Sequence, residues 1–107
     1  QYQATLKIYN HQLIDSLKWF EFGTCYGTFS TTQDATVIEC FYNSKKGNGD
    51  FSKCLQVLLK YSSMGGKHLT ITNLSQRLFE SIKKTFPSWN VSQILKNTAV
   101  IIGETKK

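Results

Sequence analysis

The sequence lacks the features of several common protein classes. Its 107 residues include one proline and only three cysteines, with no CxxC spacing. An odd number of cysteines argues against a disulfide framework, and a zinc site needs pairs of ligands at short spacing. No apolar run reaches the roughly 18 residues that span a bilayer. We therefore expect a soluble chain with no metal and no membrane partner, whose reduced cysteines place it inside the cell, in the nucleus or the cytoplasm.

Two observations leave alternatives to a reducing compartment. Cys25 and Cys40 can face each other across a hairpin, although a reduced cysteine more often packs as a small apolar side chain. Glycosylation sequons begin at Asn73 and Asn90, but Asn73 also has a predicted structural role as a helix cap.

Catalytic motifs are scarce. The segment Lys-Lys-Gly-Asn-Gly-Asp at 45–50 lacks the Gly-Lys-Ser/Thr ending of a P-loop. The acetyltransferase fold would require a glycine-rich loop of amides before the helix at Phe51, to cradle a pyrophosphate, and the spacing of Gly47 and Gly49 matches it poorly. No motif brings His11 or His68 to a cysteine. We therefore expect no cofactor and no catalysis. A small transferase, with a deep pocket beside Gly47 and Gly49, is the least favoured of three hypotheses for the function.

Acidic residues are also few, and the charge is unevenly distributed. Thirteen basic residues against seven acidic ones give a net charge of +6. Residues 1–42 carry two basic and four acidic residues, whereas residues 43–107 carry eleven basic and three acidic ones. This asymmetry indicates an anionic partner for the second half. Because Arg77 is the only arginine, bidentate readout of bases or phosphates is not indicated, and a solvated lysine surface is the alternative.

The leading hypothesis is a non-catalytic domain that binds nucleic acid through phosphate contacts of its second half. Base stacking on Tyr26, Phe29, Phe41 and Tyr42 is the other means of binding, but we expect these four side chains in the core. The candidate nucleic-acid-binding residues are Lys45, Lys46, Lys53, Lys60, Lys67, Arg77, Lys83 and Lys84.

The second hypothesis is a protein-interaction or oligomerisation module of a larger complex, including a homodimer. Large exposed aromatic side chains frequently dominate interfaces, and Trp19, Phe22 and Trp89 are the candidates if they are exposed. The strand predicted at 98–104 would then offer its edge to a partner strand.

The first half of the chain predicts a strand, a helix and a hairpin. Residues 3–9 alternate as a strand does, and Asn10 can cap a helix that Gly23 would end. From residue 24 to 42 the period changes to two, with a polar turn at 31–34. Gly27, inside the first strand of this hairpin, suggests a bulge or a close backbone approach.

The second half of the chain has clearer signals for where its helices and strands begin and end. A basic loop at 43–50 precedes a helix predicted over 51–63, and a short strand follows the glycines at 65 and 66. Asn73 is the predicted cap of another helix, with Leu78, Phe79, Ile82 and Phe86 on its apolar face and Pro87 as its end. Two strands, 90–95 and 98–104, complete the chain.

These elements predict one α+β domain over 1–107, which we expect to be part of a longer protein. Their order is β-α-β-β-α-β-α-β-β. The first six match a ferredoxin-like core with an appended helix and hairpin, in which helices cover one face of a mainly antiparallel sheet.

Overall fold

The computed structural model describes residues 4–45, 47, 49–95 and 97–104. These residues form seven strands and two helices around one sheet. In chain order the elements are β1 (Lys7–Asn10), β2 (Leu17–Phe22), β3 (Cys25–Thr31), β4 (Ala35–Asn43), α1 (Asp50–Met64), β5 (His68–Ile71), α2 (Gln76–Thr85), β6 (Trp89–Leu95) and β7 (Thr98–Glu104).

The sheet is mainly antiparallel, as the sequence predicts. Its strand order is β1-β2-β3-β4-β5-β7-β6, and only β4 and β5 pair in parallel. Helix α1 connects these two strands, and α2 leads from β5 towards the β6 edge. Both helices lie on the same face of the sheet, because their buried side chains belong to one core cluster. They also run in the same direction, since each follows one of the two parallel strands and returns to the start of the next parallel one. We call this pair of helices the helical layer.

The core lies between the helical layer and the sheet. Strands contribute alternate side chains to it, as half-buried strands do, and the apolar sides of both helices complete it. The predicted inward stripe of the second helix is confirmed, because Phe79, Ile82 and Phe86 are buried and Leu78 packs against them. The fully buried large apolar side chains are Phe20, Phe29, Ile38, Leu55, Leu58, Leu69, Leu74, Ile82 and Ile101.

The helix predicted after Asn10 is wrong, because this segment is the β1–β2 hairpin. Leu13 is 88% exposed, so the expected apolar helical stripe has no core to face. In β2 the burial alternates instead, with Phe20 and Phe22 inside and Trp19 outside. Placing two phenylalanines in the core while pairing with β1 and β3 outweighs local helix propensity.

The ferredoxin-like order is therefore not confirmed. The chain begins with four antiparallel strands joined by hairpins, and both helices come later, after β4 and β5. The coarser prediction, an α+β domain with helices on one face of a mostly antiparallel sheet, is correct.

A bulge in β4 changes which of its side chains face the core. The register with β3 shifts after Thr28, so that Ile38 opposes Phe29 while Cys40 opposes Thr28. Strict alternation would put Phe41 on the side opposite Ile38, but its ring packs on Phe20 with 5.5 Å between centroids, on the core side. The extra residue restores Phe41 to the core, since a bulge reverses the alternation beyond it.

The start of α2 also differs from the prediction. Ser75, not Asn73, caps the helix, and its side chain accepts a hydrogen bond from the Leu78 amide. Asn73 has a positive φ of 57° and donates its side-chain amide to the Glu39 carbonyl at 3.3 Å. Asn73 thus ties the segment after β5 to β4, which is a tertiary contact that local capping rules do not foresee.

Candidate functional site

The exposed side of the helical layer is strongly basic. Lys53 and Lys60 are seven residues apart on α1, and Arg77 and Lys84 have the same spacing on α2. Seven residues are about two helical turns, so each pair lies along one side of its helix. Lys53 and Arg77 lie near the N-terminal ends of α1 and α2, and Lys60 and Lys84 lie two turns further along. Because the helices run in the same direction, the two pairs also run in the same direction.

Few acids oppose these charges on the helical layer. Glu80 is exposed on α2 and accepts a hydrogen bond from the Gln76 amide at 2.9 Å. Asp50 begins α1 but is only 4% exposed, and its carboxylate accepts hydrogen bonds from the backbone and hydroxyl of Thr24. Lys83 lies 5.4 Å from the centre of the Phe79 ring, a cation–π contact that keeps its charge on this surface.

The remaining predicted basic residues have other positions. Lys45 is exposed just after β4, and its backbone amide donates to the Asn43 side chain at 3.1 Å. Lys46 lies outside the described residues. Lys67 follows α1 at its far end, where its ammonium group donates hydrogen bonds to the Thr32 and Gln33 carbonyls. The helical layer therefore gathers Lys53, Lys60, Arg77, Lys83 and Lys84, and Lys67 is partly occupied by the β3–β4 turn.

The charge asymmetry of the sequence is also an asymmetry in space. Asp15 and Asp34 are exposed in the turns after β1 and β3. Glu21 and Glu39 are exposed on strands and, by their register, lie on the side of the sheet opposite the helices. Glu21 and Glu39 are thus held on the other side of the sheet from the basic helices, which leaves the helical layer with a net positive charge.

Of the three aromatic residues predicted for protein interaction, Trp19 alone is exposed. Phe22 and Trp89 are 5% and 8% exposed and belong to the core, where the Trp89 ring stacks on Phe86 with 3.9 Å between centroids. Strand β7 lies between β5 and β6, so it offers no free edge, and the edges of the sheet are β1 and β6. Tyr9 is also exposed, and the alternation of β1, in which Ile8 packs towards the core, is the sequence signal that Tyr9 faces outward.

The four aromatic residues expected in the core divide into two groups. Phe29 is fully buried and Phe41 packs on Phe20, as expected. Tyr26 and Tyr42 are instead 46% and 54% exposed on the side of the sheet that the helices leave uncovered. The alternation of β3, in which Cys25, Gly27 and Phe29 face inward, carried the signal that Tyr26 faces outward.

A second notable region is the edge where β4 and β5 end. Their parallel pairing stops at Ile38 and Ile71, whereas β4 continues to Asn43. Both helices begin at this edge, because each follows one of the two parallel strands. Gly47 and Gly49, which precede α1, have φ values of +87° and +84° that favour glycine.

The contacts of the cysteines and of His11 support the fold and form no reactive site. Cys25 does not face Cys40, which lies on the opposite side of the sheet; it contacts the Cys54 thiol of α1 in the core. Nδ1 of His11 accepts hydrogen bonds from the amides of Leu13 and Ile14, both at 3.1 Å, and so shapes the β1–β2 turn. Among the described residues, no three histidine, cysteine, aspartate or glutamate side chains are grouped as a metal site would require.

We expect Cys25 and Cys54 to be unreactive in the folded protein. Burial raises the pKa of both thiols, and the Asp50 charge raises them further, so neither forms the nucleophilic thiolate at pH 8. A chromogenic disulfide reagent should modify only the half-buried Cys40 rapidly, and all three thiols after denaturation. Rapid modification of all three in the native protein would contradict the assignment.

The same pKa shifts predict a loss of stability at alkaline pH. An unfolded thiol ionises near pH 8.5, whereas a folded thiol with a raised pKa ionises only at a higher pH, so the unfolded state is favoured as pH rises above 8.5. Each thiol then lowers the free energy of unfolding by up to about 1.4 kcal/mol per pH unit. Urea denaturation between pH 7 and 10 measures the slope, and a Cys54→Ala variant should show a smaller one.

Comparison of the chain with models of protein families and with curated proteins finds no match. In the part of the chain that the structure describes, neither helix is long and apolar enough to cross a membrane. The function of this chain is therefore inferred from its own geometry and charges.

Proposed function

We propose that the helical layer binds nucleic acid. The observation that carries this proposal is the two-turn spacing of Lys53 and Lys60 on α1 and of Arg77 and Lys84 on α2, with Glu80 as the exposed acid of α2. Rows of cations on two helices that cover one face of the sheet suit the repeated phosphates of a nucleic-acid strand.

Such a surface recognises phosphates and not base sequence. Lysine contacts phosphate as a point charge and reads no base pattern, and a single arginine supplies little bidentate recognition. With about four phosphate contacts, the affinity should fall roughly 100-fold between 50 and 200 mM salt, because each contact releases condensed counterions. Binding should therefore be tolerant of sequence and steeply dependent on salt.

Fluorescence anisotropy with labelled duplex DNA and labelled single-stranded RNA tests the proposal. We expect similar affinities for unrelated sequences and a linear decrease of log K with log salt. Affinity that does not change with salt, or no binding at 50 mM salt, would refute it. The residues responsible are tested by the charge reversals described in the Discussion.

A second candidate is a phosphate-bearing small molecule, bound as in a small transferase. The observation that favours it is the end of the parallel β4–β5 pairing at Ile38 and Ile71, at the edge where both helices begin. In sheets with parallel strands, ligands occupy the crevice outside the carboxyl ends of the strands, and helix N-termini attract phosphate. Gly47 and Gly49 would let the backbone approach such a group, as the pyrophosphate cradle of an acetyltransferase requires.

Inorganic pyrophosphate and ADP distinguish this candidate from the first. If a site exists at the β4–β5 edge, millimolar pyrophosphate or ADP should raise the melting temperature, and Gly49→Val should abolish the shift by straining the residue that precedes α1. Lys84→Gln, on the exposed side of α2, is the control and should keep the shift. A melting temperature that neither compound changes would count against the transferase candidate and leave the nucleic-acid proposal intact.

A further inference from the structure

The side of the sheet opposite the helical layer carries a group of exposed aromatic side chains. Tyr9 pairs with Trp19 across β1 and β2, and Tyr26 pairs with Tyr42 across β3 and β4. The two tyrosine rings of the second pair stack with 5.4 Å between centroids. All four side chains are between 46% and 54% exposed. We call the outer surface of β1–β4 that they occupy the open face.

Carboxylates lie among these rings. Glu21 stands between Lys7 and Tyr26 in the register, two residues after Trp19 on the same strand. The Tyr9 hydroxyl donates a hydrogen bond to Oε1 of Glu21 at 3.2 Å, and this contact raises the pKa of Tyr9. The position of Glu21 is therefore fixed by a neighbouring ring.

A second carboxylate lies further along the face. The Ser30 hydroxyl donates a hydrogen bond to Oε2 of Glu39 at 3.0 Å, across β3 and β4. Among the residues that the structure describes, the charged side chains of the open face are thus Glu21, Glu39 and Lys7. The acidic excess is small, but it has the opposite sign to the helical layer.

We infer that the open face binds a basic peptide segment, whose arginine or lysine side chains lie on the exposed rings beside Glu21. Cations are attracted to the faces of tyrosine and tryptophan, and a nearby carboxylate strengthens the attraction. The half-exposed tyrosines and tryptophan are also the residue types that dominate protein interfaces.

Charge complementarity selects this partner over the alternatives. Nucleic acid is disfavoured here, because its phosphates would approach Glu21 and Glu39, and the basic residues of the helical layer lie on the opposite side of the sheet. A purely apolar partner is also disfavoured, because it would bury the charges of Glu21 and Glu39 without supplying a cation. The inference goes beyond the proposed nucleic-acid binding and does not depend on it, since the two surfaces are separate.

A labelled octapeptide of alternating arginine and glycine is a suitable probe. Fluorescence anisotropy should show saturable binding, and Glu21→Gln and Tyr42→Ala should each weaken it about tenfold. Glu80→Gln is the matched control, because it changes the net charge by the same amount on the helical layer and should leave the affinity unchanged. The emission of Trp19 should also change on binding, and Trp19→Phe should remove that change, since Trp89 is buried.

Three outcomes would overturn the inference. The first is absence of peptide binding by the intact chain. The second is an equal effect of Glu21→Gln and Glu80→Gln, which would show that the peptide senses only net charge. The third is a concentration-dependent dimer in sedimentation that Tyr42→Ala abolishes, which would show that a second copy of the chain covers the open face.

Discussion

Replacing Gly27 with alanine should destabilise the fold by about 3 kcal/mol or more. A Cβ atom at this position would lie 2.0 Å from the Cys40 carbonyl oxygen and 2.9 Å from a ring carbon of Phe20. The carbonyl belongs to the backbone of β4, so it cannot move without disturbing the β3–β4 pairing next to the bulge. The melting temperature should fall by roughly 15 °C, measured by circular dichroism.

Gly65→Ala is the matched control for this substitution. Gly65 has a φ of −88°, and a Cβ there would lie 3.6 Å from its nearest neighbour, an ordinary contact. The control variant should be as stable as the parent or slightly more stable, because alanine restricts the unfolded chain. Equal melting temperatures of the two variants would contradict the close approach of β3 and β4 at Gly27.

Reversing Lys60 and Lys84 to glutamate should weaken nucleic-acid binding more than about tenfold at 50 mM salt. Each reversal removes a phosphate contact and adds a repulsive charge, so the slope of log K against log salt should decrease by about two. Both residues are exposed on helices and belong to no described ion pair, so the fold should be retained. Anisotropy with a labelled duplex measures both quantities, and circular dichroism verifies the helices.

Lys7→Glu with Lys18→Glu is the control pair, because it changes the net charge by the same amount on β1 and β2. Neither position belongs to the helical layer, and the Lys18 ammonium donates to the Asn10 side chain at 2.9 Å. The salt slope should stay close to that of the parent. If both pairs lower affinity and slope equally, binding follows net charge alone, and the helical layer is not the nucleic-acid site.

The second half of the fold could be predicted because its signals are local. Turn residues, a period of 3.6 and a single proline define α1, β5 and α2 to within a few residues. Phe79 and Ile82 are buried as their spacing requires. The hairpin of β6 and β7 follows from β-forming residues on either side of a short polar turn, and it needs no distant contact to be recognised.

The segment from Asn10 to Phe22 could not be assigned by the same means. Leu13, Ile14, Leu17 and Phe20 fit helical spacing, while Phe20 and Phe22 fit the alternation of a strand. Pairing with β1 and β3 decides between the two, and that pairing depends on residues distant in sequence. The bulge in β4 is similar, because the position of Phe41 in the core depends on its contact with Phe20.

The candidate sites show the same difference between local sequence signals and tertiary contacts. The sequence by itself determined that the second half is basic, that acids are concentrated in the first half, and that the apolar stripe of α2 faces inward, because these are properties of composition and local periodicity. The tertiary structure alone decided that α1 and α2 cover the same face of the sheet, since this depends on the pairing of β4 with β5 and on the core that both helices share. It also decided which aromatic residues are exposed: Trp19, Tyr26 and Tyr42 lie on a face that no helix covers, while Phe22 and Trp89 complete the core.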